Sequence, residues 1–122
     1  MSGQYAKGMS VRREVLGDEH VERAIAETTP LDAAFQRHIT ETVWGDLWGD
    51  PTLDRRTRSL VTIAILAALG SDELELHLRA SANTGVSDAE LEQVLRHVAT
   101  YAGVPAAHTA FAKAKRIRRG GP

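Results

Sequence analysis

The chain has 122 residues, room for a single domain that buries about two thirds of its unfolded surface. It contains no cysteine, which excludes disulfide scaffolds, thiolate metal sites and thiol-based redox chemistry. Fifteen basic against sixteen acidic residues leave a formal net charge of -1, so no global field favours nucleic acid or an anionic membrane, and a small molecule or a protein partner fits better.

Ser10 to Leu16 and Asp18 to Ala26 read as two short peripheral helices divided by Gly17, with Asp18 placed to cap the second. Thr29-Pro30 supplies a cap and a first-turn proline for a third helix, in which Leu31, Ala34, Phe35, Ile39 and Val43 recur at helical spacing as far as Gly45. The segment WGDLWGDP, Trp44 to Pro51, is rich in glycine, aspartate and proline and reads as a loop. It holds both tryptophans of the chain, so a packed rather than solvated loop is expected.

Asp54 opens an apolar helix that runs to about Leu69, filled so continuously with aliphatic residues that burial on nearly every side is expected. At about ten residues its apolar run falls well short of the roughly twenty that cross a bilayer, and the N-terminus has no basic stretch leading into an apolar one, so a cytoplasmic protein is expected. Asp72 opens the next helix, which Asn83-Thr84-Gly85 closes, the glycine accepting the left-handed conformation of a helix end. Within it Glu73 and His77, four residues apart, share one face about a turn apart. Ser87 and Glu90 form a capping box for a helix with Leu91, Val94, Leu95, Val98 and Tyr101 along one side. Pro105 starts a last helix that ends in Lys115 to Arg119.

No strand is predicted. The fold class is therefore all-α, one domain over residues 1–122 with its core at about 11–115, and the tails, Met1 to Lys7 and Arg118 to Pro122, are expected to be loose. An apolar helix that neighbours with one apolar face each must wrap completely also points to a homo-oligomer.

Three separated blocks, WGDLWGDPTLDRRTRSLVTIA, ELELHLRASANTGVS and YAGVPAAHTAF, together with the earlier VRREVLG, resemble the gamma-carboxymuconolactone decarboxylase family, the similarity running from about Val11 to Lys115. The resemblance implies an AhpD-like helical subunit of six to seven helices that assembles into an oligomeric ring, such as a hexameric trimer of dimers. Redox members of that superfamily carry a Cys-x-x-Cys pair followed four residues later by a histidine; here those positions fall on Gly70, Glu73 and His77, and only the histidine remains. Arg58 stands where the redox branch aligns a proton-relay glutamate, a cation in place of an acid, which suits an anionic substrate.

The activity so implied is loss of carbon dioxide from 4-carboxymuconolactone, giving the enol-lactone of beta-ketoadipate in the protocatechuate branch of aromatic catabolism, with no cofactor and no metal. The departing carboxylate lies on the carbon vinylogous to the lactone carbonyl, so its electron pair flows into that carbonyl and the resulting dienolate is protonated at the alpha carbon. The protein must hold two carboxylates, donate to the oxygen where charge develops and deliver one proton. His77 is the candidate proton or oxyanion donor, since imidazole titrates near neutrality; its alternative is a core histidine satisfied by a backbone carbonyl. Glu73 can orient the imidazole, or carry the proton if burial favours its acid form; alternatively it is a helix N-terminal glutamate favoured by the macrodipole. Arg58 can clamp a carboxylate, or be one of four arginines, with Arg55, Arg56 and Arg79, on solvated or subunit-bridging faces. Trp44 and Trp48 can wall a dry pocket or simply pack their loop, and His108, after the GVPAA turn, is a candidate for the pocket edge. His38 and His97 read as surface or interface groups.

Other classes of function are weighed against this one. Glu73-x-x-x-His77 can be read as two metal ligands, but a metal site needs more than one such pair. LHLRASANTGVSDAELEQVLRHV has the shape of a helix-turn-helix, yet its second helix opens on Asp88, Glu90 and Glu92, the wrong sign for phosphates. A superfamily enzyme with a different lactone or carboxylated substrate and a non-catalytic helical assembly module complete the alternatives.

Overall fold

A computed structural model describes residues 3–120. Among them the chain is entirely helical, with seven α-helices, one π-helical segment and no strand: α1 Gly3–Leu16, α2 Asp18–Glu27, α3 Ala33–Ile39, the π-helix Thr40–Leu47, α4 Arg55–Leu69, α5 Leu74–Thr84, α6 Asp88–Ala102 and α7 Val104–Arg118. The chain divides into two compact units, Met1–Arg55 and Arg56–Pro122.

In the first unit α1 packs along the π-helix and on α2 around buried Val11, Val15, Leu16, Val21, Trp44 and Trp48. Helix α1 lies so close to the π-helix that a Cβ built on Gly8 would stand 1.9 Å from the carbonyl oxygen of Thr40. Arg13 on α1 bridges Asp18 and Glu22 of α2 at 3.2 and 2.7 Å, and these partners hold its guanidinium above the usual arginine range. Three expectations need correcting here. Gly3 to Lys7 belong to α1 rather than to a loose tail, whereas Met1, Ser2, Gly121 and Pro122 lie outside the described residues. Gly17, not Asp18, is the N-cap of α2, without a side-chain bond. The third helix starts at Ala33 behind Asp32, whose Oδ1 accepts from the Thr29 amide, and the supposed core stripe Leu31, Phe35 and Val43 is exposed.

The expected WGDLWGDP loop is also different, because its first four residues continue the helix in π form. The Trp48 amide reaches back five residues to the Val43 carbonyl at 2.9 Å, and the wider turn brings Thr40, Trp44 and Trp48 onto one buried line.

The second unit is organised by one core: Ile63 and Ala67 of α4, Leu74 and Leu78 of α5, Val86, Leu91, Leu95 and Val98 of α6 and its approach, and Ala110 and Ala114 of α7. Helix α4 is not buried on nearly every side. Only Ser59, Ile63 and Ala67, one stripe at four-residue spacing, are fully buried, Leu60, Ala64 and Leu66 flank it partly buried, and Val61, Ile65 and Leu69 are exposed. Gly85 closes α5 at φ 82°, as its sequence indicates. The capping box of α6 is complete, Ser87 accepting from the Glu90 amide at 3.1 Å and Glu90 from the Ser87 amide at 2.9 Å. Arg56 of α4 pairs with the same Glu90. Ser87→Ala is expected to lower stability by about 1 kcal/mol, to be read from urea denaturation.

Candidate active site

Helix α5 starts at Leu74, not at Asp72. Ser71 makes the entry, its hydroxyl accepting from the Glu73 amide at 3.1 Å and its carbonyl from the Leu74 amide at 3.2 Å, and Glu73 becomes the N-cap residue. Leu74 and Leu78 then point into the core, and His77, on the same side of the helix, is drawn in with them to 8% exposure. A polar ring is thus held at the edge of an aliphatic core by the burial of its helix neighbours.

Glu73 is exposed and offers its carbonyl, not its carboxylate, to the His77 amide at 3.3 Å. The burial that an acid role for Glu73 requires is absent within this chain. Arg58, in the first turns of α4, is half-buried with its Nε atom inside. Of the three arginines considered with it, Arg55 pairs with Glu14, Arg56 pairs with Glu90 and Arg79 is exposed.

The Ser59 and Thr84 hydroxyls meet at 2.7 Å, so the second turn of α4 lies beside the last turn of α5. His77 is seven residues back from Thr84, about 10 Å along the helix axis. Arg58 and His77 therefore occupy different levels along α4 and α5.

His108 is exposed on α7, opposite the buried Ala107 and Ala110, and His38 and His97 are exposed on α3 and α6, with the His97 ring 4.9 Å from that of Tyr101. Trp44 and Trp48 are buried in the first unit with ring centroids 5.2 Å apart, and Trp48 borders a cavity lined also by Asp50, Leu53 and Arg55. Among the described residues no group of three or more His, Cys, Asp or Glu side chains is placed to hold a metal ion, so Glu73 and His77 gain no third ligand.

Sequence reading missed the buried polar residues Arg12, Thr40, Ser59 and Ser81. For Arg12 a signal existed: with Gly8 and Leu16 it forms a four-residue repeat on the face that also buries Val11 and Val15.

The family model described as the carboxymuconolactone decarboxylase family matches residues 33–116. A 4-carboxymuconolactone decarboxylase of Acinetobacter baylyi is 45% identical over 115 residues, covering 93% of this chain and 86% of that protein. The chain belongs to the carboxymuconolactone decarboxylase family. A nitrosuccinic acid decarboxylase of Metarhizium robertsii is 40% identical over 102 residues, covering 83% of this chain and 71% of its own length. A 4-carboxymuconolactone decarboxylase of Pseudomonas putida is 44% identical over 43 residues, 35% of this chain and 90% of the relative. The family match contains Trp44, Trp48, Arg58, Glu73, His77 and His108, whereas Arg12 lies before it. No helix among the described residues is long and apolar enough to cross a membrane.

Proposed function

We propose that this member of the carboxymuconolactone decarboxylase family is a carboxy-lyase that converts 4-carboxymuconolactone to beta-ketoadipate enol-lactone and carbon dioxide, in the protocatechuate branch of the beta-ketoadipate pathway. The observation that carries the reading is the 45% identity, over nearly the whole chain, with a decarboxylase named for that substrate. The names of both near-full-length relatives describe acids with an internal electron acceptor, a conjugated lactone in one and a nitro group in the other. A shared fold that promotes loss of carbon dioxide into such an acceptor needs no cofactor to store the electron pair.

His77 is assigned the central role, as donor to the lactone oxygen that gains charge or as deliverer of the proton to the alpha carbon. Its near-complete burial supports the reading, because a donor removed from bulk water interacts more strongly with developing charge. The bond from the ring carbon to the carboxylate breaks, its electron pair enters the lactone to give the dienolate, and one proton then restores a neutral ring. Arg58 is assigned to the carboxylate that is retained, some way along α5 from the reacting carbon. Glu73, exposed at the cap, is assigned to orientation of the His77 turn through its backbone rather than to proton transfer, and His108 to a peripheral contact with the anionic substrate.

The family match runs across both compact units, which supports treating residues 1–122 as one domain. The exposed aliphatic face of α4, Val61, Ile65 and Leu69, supports a homo-oligomer in the ring form that the family resemblance implies, in a cytoplasmic protein.

Freshly prepared 4-carboxymuconolactone, followed by the loss of its ultraviolet absorbance, tests the assignment. Turnover is expected, faster than with nitrosuccinate, and the opposite preference would transfer the substrate assignment to the nitro acid. In the same assay Arg58→Gln is expected to raise KM about tenfold with a smaller change in kcat, the signature of one lost charge-assisted contact to a non-reacting group. An unchanged KM would remove Arg58 from the site.

A further inference from the structure

Among the buried polar side chains of the second unit, Ser59 stands on the one fully covered stripe of α4, in line with Ile63 and Ala67. Packing alone would favour a third aliphatic residue there, since a hydroxyl taken out of water needs a partner to offset its desolvation. Ser59 is fully buried, and its partner is the Thr84 hydroxyl, 2.7 Å away on the last turn of α5. The surroundings set the order of the protons. Thr84 Oγ1 also lies 3.3 Å from the Ser81 carbonyl, which can only accept, so Thr84 donates there and receives the proton of Ser59. The Thr84 hydroxyl is thereby oriented by the end of its own helix and presents Ser59 with a fixed acceptor.

This pair supplies what the other contacts of α4 in the second unit lack. Ile63 and Ala67, with Leu60, Ala64 and Leu66 partly buried beside them, hold α4 on the core by apolar burial, which is non-directional and tolerates sliding along the axis. The Arg56–Glu90 ion pair reaches from α4 to α6 through two long, partly solvated side chains and sets no register either. A bond between two short hydroxyl side chains, in contrast, is confined to about 2.5–3.0 Å. A slip of α4 by one residue's rise, about 1.5 Å, breaks it. Arg58 immediately precedes Ser59, and His77 lies on α5 about two turns before Thr84. The bond therefore fixes how far the root of the Arg58 side chain stands from His77 along the helices.

We infer that Ser59 and Thr84 are positioning residues of the decarboxylation site, a register pin that sets the offset between Arg58 and His77, and this inference rests on the roles assigned to those two residues above. Without the pin Arg58 still grips the retained carboxylate, but the reacting carbon is carried out of line with His77. Binding survives and turnover falls.

Steady-state kinetics with 4-carboxymuconolactone, together with melting temperatures, test it. Ser59→Ala is expected to lower kcat about tenfold with KM little changed, the reverse of the pattern expected for Arg58→Gln, because a misplacement of about an ångström is felt chiefly in the transition state. Thr84→Val, at a half-buried position, is expected to give the same loss and carries the test if Ser59→Ala impairs folding. Thr84→Ser keeps the hydroxyl and is expected to keep the wild-type kcat. The double variant Ser59→Ala/Thr84→Val is expected to lose no more than either single one, since the same bond is removed in all three. Ser81→Ala is the control for a merely structural role: its hydroxyl is equally buried but donates to the Leu78 carbonyl of its own helix at 2.6 Å, so kcat is expected to stay at the wild-type value whatever happens to the melting temperature. With the wild type active, the inference alone is overturned by a wild-type kcat in Thr84→Val or in folded Ser59→Ala, by a loss in Thr84→Ser or Ser81→Ala as large as theirs, or by losses that multiply in the double variant. No turnover by the wild type would overturn the substrate assignment and the inference together.

Discussion

Replacing His77 by alanine is expected to lower kcat for 4-carboxymuconolactone by about a thousandfold, equivalent to roughly 4 kcal/mol of lost transition-state stabilisation. The expectation follows from where the fold puts the ring. Leu74 and Leu78 on the same helix are fully buried and carry His77 with them to 8% exposure, so the imidazole sits at a water-poor edge of the core. Charge on the substrate grows as carbon dioxide leaves, and a donor held in such a place gains most at that moment. KM is expected to change little, because Arg58 rather than His77 is assigned to the retained carboxylate. A purely structural histidine gives the opposite pattern: a lower melting temperature, with kcat close to wild type for the folded fraction. His77→Asn, which keeps a polar side chain of similar bulk, separates the two, since it preserves folding better than alanine while still removing the titrating group.

Gly8→Ala is expected to destabilise the protein by about 3 kcal/mol, lowering the melting temperature by roughly 10 °C. Ordinarily alanine in place of a helical glycine stabilises by about 0.5–1 kcal/mol, so the sign of the effect is itself diagnostic. At Gly8 the added methyl would meet the Thr40 carbonyl oxygen at 1.9 Å, its carbon at 2.8 Å and the Gly45 nitrogen at 3.0 Å. All three are backbone atoms of the π-helix and have no rotamer by which to move aside; α1 itself must lift. Gly3→Ala, on the same helix with nothing within 4 Å of its Cβ, is the matched control and is expected to be neutral or mildly stabilising. Calorimetric scans of both variants decide the matter, and a gain in stability at Gly8 would contradict the close packing of α1 on Thr40.

Where a rule depends on a few neighbouring residues, the sequence was a sound guide to this fold. The Ser87–Glu90 capping box and the Gly85 stop are complete in three or four positions each, and both are present. Rules that depend on what lies across from a helix fared worse. A run such as 60–69, aliphatic but for Thr62, carries little periodicity to say which side is covered, and the fold fully buries only the stripe of Ser59, Ile63 and Ala67. The π-helix misled in another way. Its wider turn carries Thr40, Trp44 and Trp48 inward in place of Val43, so a reading at 3.6 residues per turn selects a face one residue off.

The candidate site divides along the same line. His77 was singled out by its place in the superfamily motif, where both thiols are lost, and Leu74 and Leu78 on the same side of α5 account for its burial. Glu73 was judged by its spacing, which is right for one face of a helix. The helix, however, begins one residue later and leaves that carboxylate in solvent. Arg12 went unread because an arginine is counted as surface by default, although its four-residue repeat with Gly8 and Leu16 marks an inward face.

The most direct measurement is a single turnover experiment in D₂O, in which 4-carboxymuconolactone is mixed with the wild-type protein and both products are followed by NMR and by carbon dioxide release. The account predicts one equivalent of carbon dioxide per lactone consumed, well above the spontaneous rate, and an enol-lactone with one deuterium on a single face of the alpha carbon, delivered by a group of the protein. Carbon dioxide at no more than the spontaneous rate, or deuterium spread equally over both faces, would contradict a protein-held proton donor.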